Sequence, residues 1–292
     1  MKAALKYFFL WLALQVIGAI IFALPAYCVS MVAGGAVSDF EKVGSDPWFM
    51  SVIFLGSELL PLFFFLKMKY ARLNFKYDYD FGDLFSNKKL YLLVAVTCVG
   101  CMLLNTALAE YTSAYDWYTD VLKEIGSMGN NPIGALCICL IGPILEEVVF
   151  RGAILRRLLE TSWKPWVAIV VSAIIFAIAH GNLVQGGAAF VLGCAMGCVY
   201  YYTRSLWPCI FIHVLNNTTS TVLSWTLTGT PYEDTGAIPI GANIILAVAG
   251  VALIYFAIQK IAKMTQNRTP LPPPIELPPM PNYVEEPTHP VE

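Results

Sequence analysis

Two carboxylates and an arginine, Glu146, Glu147 and Arg151, stand inside an otherwise apolar run, PIGALCICLIGPILEEVVFRGAIL. Two later apolar runs carry His180, in FAIAH, and His213 with Asn216 and Asn217, in HVLNN. A carboxylate beside a histidine can hold a water molecule and take its proton. A second histidine and an amide can donate hydrogen bonds to a developing oxyanion. That set of side chains suits hydrolysis of an amide bond. A serine or cysteine nucleophile has less support, because GxSxG is missing and no cysteine has a recognisable partner. HExxH is missing too, although Glu146, His180 and His213 could form a His/His/Glu zinc set. The expectation is hydrolysis without a cofactor, with zinc as the metal alternative.

These groups must be positioned by membrane helices. The chain of 292 residues is 58% hydrophobic and 13% charged, with a mean hydropathy of +0.64. A soluble protein has about 45–50% apolar and about 25% charged residues. The expected fold is therefore an all-α, polytopic membrane protein. A net charge of −2 with no strongly basic block gives no sign of a nucleic-acid partner. A span needs about 20 apolar residues. Eight stretches meet or approach that length: 7–32, 47–66, 90–109, 132–155, 166–180, 183–202, 207–227 and 239–259. The fifth is short, which puts His180 at a helix end or break.

Basic residues between the spans fix an expected orientation. With the N-terminus inside, Lys42 and Lys123 alone fall outside, Arg151 lies in the membrane, and every other Lys and Arg is cytoplasmic. The positive-inside rule thus favours eight spans with both termini cytoplasmic. The first apolar run, 7–32, is too long for the h-region of a cleaved signal peptide and reads as a retained span. All eight cysteines lie in apolar runs, where a free thiol behaves as a small hydrophobe.

Residues 1–265 read as one membrane-embedded unit and 266–292 as a proline-rich cytoplasmic tail, extended or disordered. The tail could dock a partner through polyproline segments. The outer segment 110–131 places Tyr111, Tyr115, Tyr118 and Leu122 at helical spacing, as an interfacial helix would. Gly193 and Gly197 form a GxxxG pair suited to close helix packing.

An ionised group near the centre of a membrane helix costs about 2.5–3.5 kcal/mol on insertion scales. Helical spacing suggests how that cost is met. Glu147 and Arg151 are four apart with the acid first, the favourable order for a pair on one face. Glu146 is turned by about 100° from Glu147 and meets other neighbours. Glu147 and Arg151 would therefore neutralise each other and leave Glu146 free to act. His213 and Asn217 share a face, as do Phe176 and His180. The bland alternative is a polar knot that glues helices together, at about 0.6 kcal/mol per contact. Glu58, in FLGSELLPLF, is an isolated acid without a sequence-local partner, read as holding its proton or as a second functional group.

EEVVFRG (146–152), FAIAH (176–180) and HVLNN (213–217) resemble the motifs EExxxR, FxxxH and HxxxN/B, in order and on separate spans. These mark the CPBP family of CAAX proteases and bacteriocin-processing enzymes, also called the ABI family. The motif-bearing core covers 132–227, and eight spans is similar to the count of the type II CAAX prenyl endopeptidases. The resemblance implies a metal-independent intramembrane glutamic endopeptidase. In it Glu146 is the general base that activates water and His180 helps to hold that water. His213 and Asn217 form the oxyanion hole, while Glu147, Arg151 and Phe176 support the site. It implies a peptide or membrane-protein substrate but not a prenylated one, since family members also include proteins linked to bacteriocin immunity and peptide processing. From the intramembrane charges alone, a proton-coupled transporter using Glu146, His180 and Glu58 is the alternative, followed by a non-catalytic immunity or scaffolding protein.

Overall fold

The computed structural model describes residues 2–34, 46–67, 87–112, 128–228 and 238–265. Most of the interfacial segment, including Tyr115, Tyr118 and Leu122, and the tail 266–292 lie outside those residues. So do Lys42 and Lys123, on which the expected orientation partly rests.

The described residues form eight helical rods and no strand. They are α1 (Lys2–Gly34), α2 (Pro47–Lys67), α3 (Lys88–Thr112), α4 (Pro132–Leu159), α5 (Pro165–Ala179), α6 (Leu183–Thr203), α7 (Leu206–Thr228) and α8 (Ile240–Met264). Each corresponds to one apolar stretch of the sequence. By length and composition, α2, α4, α8 and the larger parts of α1 and α3 can cross a membrane. Helices α6 and α7 are 21 and 23 residues long but are diluted by glycine and tyrosine, or by His213, the asparagines and several hydroxyl residues.

Helix α4 is the axis of the molecule. Phe150, Ile154 and Leu155 are wholly buried, and α1, α2, α5 and α7 pack around it. The Trp11 ring of α1 meets Phe150 edge-on at 5.2 Å, and Phe150 in turn meets Phe176 of α5 at 4.9 Å. On the other side α3 pairs with α8 and also touches α6 and α7. Large apolar residues such as Ile20, Leu24, Ile245 and Tyr255 remain exposed on α1 and α8, as lipid-facing surfaces require.

Three helix pairs approach at glycine. A Cβ on Gly18 of α1 would lie 2.2 Å from the carbonyl oxygen of Gly56 on α2. One on Gly250 of α8 would lie 2.7 Å from the carbonyl oxygen of Gly100 on α3. Gly193 and Gly197 likewise pack against Ala173 and Ile169, so the GxxxG face of α6 meets α5.

Helix α4 departs from a plain α-helix. It begins at Asn131, whose side chain caps the Gly134 N–H at 2.9 Å, with Pro132 in the first turn where no N–H is needed. The rod then passes through two π-helical stretches, Cys137–Ile141 and Val148–Leu155, on either side of the glutamates. Such turns concentrate at functional sites.

Candidate active site

The two glutamates diverge as their spacing predicts, yet they share a neighbour. Glu147 is fully buried, whereas the Glu146 side chain is 23% exposed. Arg151 Nη1 donates to Glu147 Oε1 at 2.8 Å, and its Nη2 donates to the Gly193 carbonyl at 3.3 Å. The guanidinium also stands 4.4 Å from the centre of the Phe176 ring. Arg151 is thus satisfied by a carboxylate, a backbone oxygen and an aromatic face, which is what a buried cation needs.

His213 joins the pair. Its Nδ1 is 2.9 Å from Glu147 Oε1, the same oxygen that Arg151 reaches, and its Nε2 is 3.6 Å from Glu146 Oε2. A carboxylate beside Arg151 can only accept, so Nδ1 is the protonated nitrogen and Nε2 faces Glu146. The separation of roles expected from helical spacing therefore needs one correction. Glu146 and Glu147 point apart, but one imidazole from α7 reaches both. Helix geometry within α4 could not show this, because the link comes from another helix.

His180 occupies the C-terminal cap of α5, as its short span suggested. Its Nδ1 lies 2.9 Å from the Phe176 carbonyl, which can only accept. Nδ1 therefore donates and leaves Nε2 with its lone pair, the form able to receive a proton. The chain reverses at once: Gly181 has φ +69°, a conformation that favours glycine, and Asn182 caps α6 by accepting from the Gln185 N–H at 2.6 Å. The Phe176 ring lies edge-on to His180 at 4.8 Å and to His213 at 5.8 Å. One buried phenylalanine thereby spaces both histidines and carries Arg151 on its face.

Asn217, one turn after His213, reaches α4 at a different level. Its Nδ2 donates to the Ile138 carbonyl at 3.0 Å, and its Oδ1 accepts from Asn216 Nδ2 at 3.2 Å. Ile138 is open to this contact for a local reason. The Gly142 N–H donates to the Cys137 carbonyl five residues back. The next rung of that register would run from residue 143 to Ile138, and residue 143 is proline, which has no N–H.

The site also uses residues that sequence reasoning did not single out. Gln15 of α1 donates to Glu58 Oε1 at 3.1 Å, so the isolated acid of α2 has a partner 43 positions away. Glu58 Oε2 lies beside Gly142, one helical turn before Glu146. Ser172 of α5 donates to the Phe150 carbonyl within the second π-helical stretch. A hydroxyl in the apolar run of α5 and a proline three residues before Glu146 were the available signals.

Among the described residues, no three His, Cys, Asp or Glu side chains gather as a metal ion would require. His180 turns one ring nitrogen to backbone, and His213 turns one to Glu147. The cysteines among the described residues are all free thiols.

Residues 129–219 match the family described as "Type II CAAX prenyl endopeptidase Rce1-like", an interval containing all three motifs. The chain is 32% identical over 87 residues to "Putative membrane peptidase YdiL" of Bacillus subtilis, covering 30% of this chain and 35% of that protein. It is 34% identical over 91 residues to "Membrane-embedded CAAX protease MroQ" of Staphylococcus aureus, covering 30% of this chain and 37% of that protein. The chain thus spans about a third of the length of the curated relatives it matches. No solved structure gives a significant match.

Proposed function

We propose that this chain, whose residues 129–219 carry the Rce1-like pattern, is an intramembrane endopeptidase that hydrolyses a peptide bond of a membrane-associated protein or peptide with water activated by Glu146. The observation that carries it is the different standing of the two acids. Glu147 is consumed by Arg151 and His213, while the Glu146 side chain is partly exposed and turns Oε2 toward His213 Nε2.

In this mechanism Glu146 takes a proton from water and the oxygen attacks the scissile carbonyl carbon. His180, with Nδ1 committed to the Phe176 carbonyl, accepts a hydrogen bond from that water at Nε2. The carbonyl oxygen becomes an oxyanion and receives hydrogen bonds from Asn217 and His213. With Nδ1 donating to Glu147, His213 can do so from Nε2 only when its ring carries both protons. Collapse of the intermediate breaks the C–N bond, and the proton held by Glu146 passes to the leaving amine. No metal enters these steps.

The test is cleavage by purified protein in a bilayer. Glu146→Ala and His180→Ala should each abolish new peptide termini while the protein still inserts and folds. Full activity in Glu146→Ala protein would overturn the proposal. Stoichiometric bound zinc together with chelator-sensitive activity would replace it by a metalloprotease.

A further inference from the structure

Asn217 can serve an oxyanion only if its amide presents nitrogen rather than oxygen. The two ends have nearly the same shape, so a neighbouring group must decide which one faces the site. The Ile138 carbonyl does so. It is a fixed acceptor that cannot flip, and it holds Asn217 Nδ2 at 3.0 Å. Asn216 completes the arrangement by donating to Asn217 Oδ1 at 3.2 Å. In the reverse orientation Asn217 would set its own oxygen against the Ile138 oxygen. Nδ2 carries two hydrogens, and Ile138 uses one. The second is the hydrogen that the proposed mechanism would use on the reacting carbonyl oxygen.

The availability of Ile138 traces to Pro143. Every other residue type at 143 would bring an N–H in register with the Ile138 carbonyl, continuing the five-residue rung that joins Gly142 to Cys137. Pro143 is buried one turn before Glu147 and three residues before Glu146. The helix that carries the base therefore also exposes the backbone oxygen that orients the oxyanion donor of α7.

We infer that Pro143 and Asn216 are positioning residues, which fix Asn217 as a hydrogen-bond donor to the reacting carbonyl oxygen. This inference rests on the proposed endopeptidase activity. An N–H at position 143 competes for Ile138, frees the Asn217 amide to rotate, and weakens oxyanion binding without touching the base.

The experiment measures kcat and KM in bilayers, on a membrane-associated peptide whose cleavage requires Glu146. Asn217→Ala should lower kcat by about 10²–10³-fold, as loss of one oxyanion donor does. Pro143→Ala and Asn216→Ala should each lower kcat by roughly ten-fold, a fraction of that effect, with KM nearly unchanged. The double variant Pro143→Ala/Asn217→Ala should be no slower than Asn217→Ala alone, because Pro143 acts through that amide. Pro143→Ser, which also supplies an N–H, should reproduce Pro143→Ala. Alanine and serine are both easier to place in a helix than proline, so folding does not obscure the result. Unchanged kcat in Pro143→Ala, or losses that multiply in the double variant, would overturn the inference while leaving the glutamate mechanism standing. Cleavage that survives Glu146→Ala, or wild-type protein that cleaves nothing, would overturn the proposed function and this inference with it.

Discussion

Oε1 of Glu147 is 2.9 Å from Nδ1 of His213, and the same oxygen accepts from Arg151 at 2.8 Å. A single buried carboxylate oxygen therefore neutralises a cation on its own helix and orients an imidazole on another. This links the stability of the bundle to the geometry of the site.

Arg151 should be needed for folding before it is needed for chemistry. Arg151→Met removes the cation from a wholly buried carboxylate and takes away the side-chain donor to the Gly193 carbonyl. Breaking a buried pair by deleting one partner costs about 3–5 kcal/mol. Thermal unfolding in detergent should show a large loss for Arg151→Met and a smaller one for Arg151→Lys. Equal stability of Arg151→Met and wild type would mean that the pair does not carry Glu147.

Phe176 should behave as a spacer rather than a filler. Phe176→Ala should destabilise by about 3–5 kcal/mol, the usual range for a buried phenylalanine. Phe176→Leu retains much of the buried area but loses the ring that separates His180 from His213 and underlies Arg151. It should remain folded and lose most of its cleavage rate. A Phe176→Leu protein with the wild-type rate would show that the ring contacts do not set the histidines.

Gln15 should matter although it lies far from the motifs. Gln15→Leu leaves the buried Glu58 carboxyl without its hydrogen bond, at a cost of about 1–3 kcal/mol. The paired change Gln15→Leu/Glu58→Leu should recover most of that stability. If the double variant is no more stable than Gln15→Leu, the Gln15–Glu58 contact is not what ties α1 to α2.

Gly18 should be intolerant of any side chain. A Cβ there would be driven into the Gly56 carbonyl, so Gly18→Ala requires α1 and α2 to separate. Overpacking of this kind costs about 1–3 kcal/mol. Melting of Gly18→Ala protein checks it, with Gly187→Ala, where nothing stands within 4 Å, as the control expected to melt like wild type.

The sequence made the helices legible, because long apolar stretches broken by charged or glycine-containing segments leave little choice of fold. His180 at a helix end was legible too, since its span was short. The pairing of Glu147 with Arg151 followed from helical spacing alone. Contacts between distant helices were not readable. Nothing periodic joins Gln15 to Glu58, Gly18 to Gly56, or Arg151 to the Gly193 carbonyl, and each depends on how helices cross. The π-helical stretches escaped for a related reason. Their one-residue change of register shows only in backbone hydrogen bonds, although Pro143 marked where a rung had to be missing. The roles of the interfacial segment and the proline-rich tail rest on residues outside the described structure.

The most direct measurement is mass spectrometry of new peptide termini formed by wild-type and Glu146→Ala protein, each purified, folded and placed in vesicles with membrane-associated peptides. Wild-type protein should cleave and incorporate one oxygen from labelled water into the new carboxyl group, and Glu146→Ala should give no cleavage. Equal cleavage by both proteins would contradict it.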